Sequence, residues 1–270
     1  VNLIVGRQVA SFFDGAIAWL SYADRLYQLP LGVVGIAIGI VLLPDLSRRL
    51  QAGDTSGGQD AFSRATEMSL ALSVPAAVAL FVIPATLVEV LFERGAFGSE
   101  DTAATAVATA IYGLGLPAFV MQKVLQPLYF AREDTKRPFY FALVAMVVNA
   151  VLAIGLAPVI GYIAAAIGTT VAGWSMFALL WWKSRSMGTA SQLDERSKVR
   201  VGRILLASAI MGAGLWTADW LITPDILAGT WQIVVFTFLV VFGMALYAIA
   251  GIAFGAFSLR DLTAIFRRQR

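Results

Sequence analysis

The run Ser21-Tyr22-Ala23-Asp24-Arg25-Leu26-Tyr27-Gln28-Leu29-Pro30-Leu31-Gly32 decides how this chain folds. It places an acid and a base side by side in a sequence that otherwise reads as membrane-spanning helix. Residues 26–44 carry no charge, and neither do residues 15–23 upstream of the pair. A charged side chain at bilayer depth is costly and marks a substrate path, an ion path or a buried pair. Arg25 is therefore the leading functional candidate.

Composition points the same way. Of 270 residues, 59% are hydrophobic and 14% charged, with a mean hydropathy of +0.78. A soluble domain is about a quarter charged, so this is an all-α, polytopic integral membrane protein. The chain has no Cys and no His. That excludes thiol chemistry, zinc sites built on those ligands and imidazole acid–base catalysis, and no cofactor is implied. It opens on Val1-Asn2-Leu3-Ile4-Val5, inside an apolar segment and without a signal-peptide pattern. We read it as a fragment whose preceding residues are missing.

A spanning helix needs roughly 20 mostly apolar residues. Eight segments qualify or come close: 1–13 (truncated), 16–43, 60–92, 102–131, two within 138–182, 204–222 and 231–257. Pro30 bends the second; Gly35 and Gly39 give it a small-residue face for close helix contact. Residues 47–59 read as a polar loop. Asp101 or Thr102 is expected to cap the fourth helix, and 158–161 to supply the hairpin inside the 45 uncharged residues 138–182. The expected units are 1–183 as a six-helix lobe, 184–203 as a basic linker, 204–257 as an extra helix pair and 258–270 as a basic tail.

The basic residues fall on alternate loops. Arg48, Arg49 and Arg64; Arg132, Lys136 and Arg137; six from Lys183 to Arg203; and Arg260, Arg267, Arg268 and Arg270 make sixteen on one side. The other side holds Arg94 among seven acids. The positive-inside rule puts the first set, with the C-terminus, in the cytoplasm.

Arg25 lies nine residues after Ala16, roughly 13–14 Å along a helix rising 1.5 Å per residue. That is near the middle of a hydrocarbon core about 30 Å thick. Its planar fork suits a phosphate or diphosphate; a structural Arg that snorkels or pairs with an acid is the other reading. Asp24 points about 100° away from it, since a helix has 3.6 residues per turn. Arg7, eight residues before the turn at Gly15, matches Asp24 in depth, so an Arg7–Asp24 structural ion pair is expected. Tyr22 and Gln28 share the face of Arg25 and are candidates to contact a headgroup or another helix. Lys123 either snorkels or joins a polar site, and Asn149 is a lone amide in an apolar span. No nucleophile–base pair or paired carboxylates stand at bilayer depth, so an intramembrane enzyme is not expected.

Three ordered motifs carry a resemblance. Residues 22–32 continuing through Gly35-Ile36-Ala37-Ile38-Gly39 to Leu42-Leu43-Pro44, then Leu91-Phe92-Glu93-Arg94-Gly95-Ala96-Phe97, then Lys123-Val124-Leu125 through Asp134-Thr135-Lys136-Arg137-Pro138, resemble the second half of the MurJ (MviN) family. These are bacterial flippases for lipid II, the lipid-linked peptidoglycan precursor. The resemblance implies a MATE-like flippase of fourteen helices, of which this chain is the second six-helix lobe plus two extra helices that form a lipid-tail groove. It implies that Arg25 lines a central cavity and meets the diphosphate.

It also departs from some relatives. They bind sodium through an acid in the first helix of this lobe, where this chain has Val5-Gly6-Arg7. After Asn149 come Val151, Leu152 and Ala153, again without an acid.

The expected function is flipping of lipid II across the bacterial inner membrane by alternating access, driven by membrane potential or by sodium or proton coupling. Substrate contacts would come from Arg25, Tyr22, Gln28 and Asp24. The expected partners are lipid II, membrane lipids, the first lobe of the same protein and cell-wall synthesis proteins, and no nucleic acid. The alternatives are a flippase for another polyprenyl-diphosphate-linked oligosaccharide and a non-transporting membrane scaffold for cell-wall synthesis.

Overall fold

The computed structural model describes residues 2–37, 43–222 and 231–256, and it is helical throughout. In chain order the helices are α1 (Asn2–Ala10), α2 (Ala16–Ala37), α3 (Leu43–Gln51), α4 (Thr55–Val82), α5 (Pro84–Phe92), α6 (Ser99–Phe130), α7 (Lys136–Ile160), α8 (Ile163–Ser184), α9 (Glu195–Leu221) and α10 (Gln232–Ala253). Among the described residues six are long and apolar enough to cross a membrane: α4, α6, α7, α8, α9 and α10. α1 has only nine described residues. α2 has 22 residues, and Asp24 and Arg25 lower its hydropathy. The expected basic tail 258–270 lies outside the described residues.

α6 is the spine. It packs on α2, α4, α5 and α8, and buries Leu116, Val120, Val124, Leu125 and Leu128 in one core with Leu26, Phe62, Val88 and Leu180. Polar side chains tie α6 to α8, since lipid offers their donors no other partner. The Tyr129 hydroxyl donates to Leu180 O at 2.6 Å, and Gln122 Nε2 donates to Gly173 O at 2.7 Å. α7 forms a hairpin with α8 and receives α1, while α9 lies along α4 and α10 packs on α9. The outer faces of α7 and α10 expose Val147, Val151 and Ile154, and Phe238, Val241 and Met244. Apolar surface of that kind suits lipid.

Several boundaries differ from the sequence reading, each for a local reason. The expected polar loop 47–59 contains α3, an amphipathic helix that buries Leu46 and pairs Arg49 with Asp45 at 3.1 Å. The single helix expected over 60–92 breaks at Ile83 (φ −123°, ψ 43°) because Pro84 offers no N–H and disfavours helical backbone before it. α4 starts earlier, at Thr55, because Asp54 accepts from Gly57 N at 2.9 Å. The fourth helix is capped at Gly98; Asp101 sits three residues in and its carboxylate accepts from Gly98 N at 3.0 Å. Pro158 lies inside α7, and the hairpin turns at Gly161, whose φ of +63° favours glycine. Part of the expected basic linker is already helix: α9 begins at Glu195 under an Asp194 cap, whose carboxylate accepts from Ser197 N at 2.6 Å.

Candidate functional site

The depth of α2 is set at its first turns. Trp19 Nε1 donates to Asp101 Oδ1 at 2.6 Å, joining the start of α2 to the start of α6. The Trp19 ring stands edge-on to Tyr162 at 5.1 Å, and the Tyr162 hydroxyl donates to Ala104 O at 3.0 Å. One turn later Tyr22 packs on Phe92 and Phe97, at 4.8 and 5.1 Å between ring centres. Those two rings come from Leu91-Phe92-Glu93-Arg94-Gly95-Ala96-Phe97, so this motif is a strut for α2. Arg94 Nη2 caps α5 through Val90 O and Leu91 O, both at 3.0 Å.

α2 then presents three faces. Ala16, Leu20, Ala23, Leu26 and Val34 are buried. Arg25 is exposed on a second face with Tyr22, Leu29, Val33 and Ile36, and no carboxylate lies within 4.0 Å of it among the described residues. The third face, Ser21, Asp24 and Gln28, lines a cleft of about 230 Å³ closed by Arg7 of α1, Tyr112 and Phe119 of α6 and Thr169 of α8. Tyr27 backs the cleft, 5.2 Å from Tyr112 and 5.7 Å from Phe119.

The charges divide accordingly. Gln28 Nε2 donates to Asp24 Oδ2 one turn earlier, so Gln28 belongs to the cleft as well as neighbouring Arg25 in sequence. Arg7 and Asp24 line one cleft and sense each other electrostatically. The ion pair expected between them is not closed: no N–O distance reaches 4.0 Å among the described residues. α1 leans on α7 and α8 rather than along α2, whereas Gln28 is delivered to Asp24 by helix geometry alone.

Two further candidates stand apart from Arg25. Lys123 reaches the later part of α2, where a Cβ on Gly35 would lie 3.2 Å from its Nζ. Asn149 is wholly buried against α8, and both polar atoms of its amide lack a partner among the described residues. A Cβ on Gly168 would stand 2.8 Å from Asn149 Oδ1. Among the described residues no cluster of three or more His, Cys, Asp or Glu is placed to hold a metal ion. Sequence reasoning missed Ser21, Tyr112 and Thr169. Ser21 shares the three- and four-residue spacing of Asp24 and Gln28, a legible stripe; Tyr112 and Thr169 come from distant helices and give no such signal.

Helices packed on the α6 spine, a charged open face on α2 and a further helix pair beside α4 are the architecture of one lobe of a MATE-like membrane flippase with two added helices. The comparisons agree. The family model described as "Lipid II flippase MurJ" matches residues 1–242. A probable lipid II flippase MurJ of Rhizobium tropici is 38% identical over 277 residues, covering all of this chain and 51% of that protein. One from Rhizobium meliloti is 44% identical over 229 residues, covering 83% and 42%. A solved lipid II flippase MurJ in an inward closed conformation superposes with a TM-score of 0.77 at 25% identity, covering 97% of this chain and 51% of that one. This chain belongs to the MurJ lipid II flippase family. It spans about half the length of the curated relatives it matches.

Proposed function

We propose that this chain supplies one lobe and the extra helix pair of a flippase that moves lipid II across the bacterial inner membrane by alternating access. The observation that carries the reading is Arg25. It stands on the open face of α2, unpaired among the described residues, with Leu29, Val33 and Ile36 beside it. A guanidinium there offers a bidentate grip to a diphosphate, while the apolar surface beside it tolerates a polyprenyl chain. The partner lobe would complete the cavity, and the two lobes would rock about the bound headgroup as in secondary transporters. The basic end of the bundle, with Arg48, Arg49, Arg132, Lys136 and Arg137, would face the cytoplasm. Membrane potential is an available drive, since carrying one charge across 100 mV is worth about 2.3 kcal/mol.

The deciding experiment is Arg25→Ala in the native full-length protein, read by translocation of a lipid-linked headgroup in reconstituted vesicles. Insertion and folding should survive and translocation should vanish. Normal translocation with Ala at this position would end the proposal.

A further inference from the structure

The cleft between α1 and α2 holds two opposite charges that do not neutralise each other. Arg7 brings five N–H donors and has no carboxylate within 4.0 Å among the described residues. Asp24 receives one N–H from Gln28 and is hydrogen-bonded to Tyr27, which leaves part of the roughly four acceptor sites of an ionised carboxylate open. Around them stand the Ser21, Thr169 and Tyr112 side chains. The Ser21 and Thr169 hydroxyls donate to Ile17 O and Ala165 O, so they turn acceptor lone pairs outward.

This arrangement is selective by charge. A lone anion drawn to Arg7 would meet the Asp24 carboxylate, and a lone cation drawn to Asp24 would meet the guanidinium. A group carrying both charges a few bonds apart satisfies both walls. The volume, about 230 Å³, falls below the roughly 300–1,000 Å³ of pockets that enclose a whole drug-sized ligand. A cleft of that size fits the end of a larger molecule.

We infer that this cleft is a subsite for a zwitterionic amino-acid group, its carboxylate on Arg7 and its ammonium on Asp24, carried by the peptide part of the transported headgroup. The inference rests on the proposed lipid II substrate, and it gives Arg7 and Asp24 a task separate from that of Arg25. Arg25 lies one residue, about 100° of helix, from Asp24, so one headgroup can reach both. Gln28 is the positioning residue, holding the carboxylate on the cleft side of α2.

The test uses the native full-length protein in phosphatidylglycerol nanodiscs. The two probes are a polyprenyl-diphosphate disaccharide whose peptide has free ammonium and carboxylate groups, and the same lipid with the amine acetylated and the carboxylates amidated. Wild-type protein should bind the free form about tenfold tighter, the scale of one pair of charge-assisted contacts. Asp24→Asn and Arg7→Gln should each bring that ratio close to one while binding the blocked lipid like wild type, which also shows that they fold. Arg25→Gln should weaken both lipids together and leave the ratio intact.

A wild-type ratio of one overturns the subsite. So does retention of the ratio in both cleft variants, or an equal loss for both lipids, which is the mark of a structural pair. If excess phosphatidylethanolamine erases the ratio, a membrane headgroup occupies the cleft and the assignment to the substrate peptide fails. Unchanged binding of both lipids in Arg25→Gln would count against the diphosphate reading alone.

Discussion

Arg200 Nη1 lies 2.9 Å from Glu67 Oε2, and the Ser197 hydroxyl donates to the other oxygen of the same carboxylate. This fastens the first turns of α9 to α4 at the basic end of the bundle. At the far end of α9 the Thr86 hydroxyl donates to Asp219 Oδ1. The two side chains of the first pair are only 19% and 14% exposed, so both charges are poorly solvated. Glu67→Ala should cost about 2–3 kcal/mol, the range for losing a charge-assisted bond from a poorly solvated pair. Glu67→Gln should cost less, since its amide oxygen can still accept from Ser197. Thermal unfolding in detergent would order the three proteins, and equal midpoints would refute the tie.

Gly168 is required by its neighbours. An added Cβ would stand 2.8 Å from Asn149 Oδ1, 3.0 Å from Asn149 O and 3.2 Å from Ala153 N. Gly168→Ala should therefore destabilise the α7–α8 hairpin by about 1–3 kcal/mol, the usual cost of overpacking. Combining it with Asn149→Ala should recover only part of that loss, because two of the three contacts are backbone. Full recovery would mean that the side chain alone sets the spacing.

Asp54 makes the first turn of α4 sensitive to acid. The Gly57 N–H and then the Ser56 hydroxyl, with Arg49 nearby, hold its carboxyl below the ordinary carboxylate range. The cap is fully formed above the ordinary value and is lost as pH falls through the depressed one, below about pH 4. Amide hydrogen exchange at residues 55–58, corrected for intrinsic rates, should show less protection in that window. Asp54→Asn accepts the same bond without titrating and should remove the pH dependence.

Charge alone should not satisfy the open face of α2. Arg25→Lys keeps the cation but loses the planar fork. In the native full-length protein it should leave translocation at least about tenfold below wild type, the scale of losing one charge-assisted bond. Wild-type rates in Arg25→Lys would reduce the role of Arg25 to a diffuse field.

The sequence carried much of this. Asp24 and Arg25 inside an apolar run marked α2 as the candidate helix, and the 45 uncharged residues 138–182 announced the α7–α8 hairpin. Gln28 was placed with Arg25 by its three-residue spacing, but it also stands four residues from Asp24, and the hydrogen bond follows the second relation. Local periodicity cannot choose between two such neighbours; the carboxylate, a stronger acceptor for an amide, does. The break at Ile83 was legible in Pro84 but lay hidden in a long hydrophobic run. The early start of α9 was not, because its first two turns are charged and read as linker until Glu67 pairs with Arg200. Tyr112 and Thr169 reach the cleft only because α6 packs on α2 and α8 on α6, which no short window encodes.

Pro30 divides α2 into unequal parts. Everything that anchors the helix through Trp19 and Tyr22 lies before it, and Arg25 stands on that anchored side. Beyond the proline come Val33 and Ile36, both exposed, and the bond from position 30 back to Leu26 O is absent because proline has no N–H. A bend at Pro30 would sweep the later turns sideways while the guanidinium keeps its address. If Arg25 grips substrate as proposed, the turns before Pro30 alone fix where that grip stands.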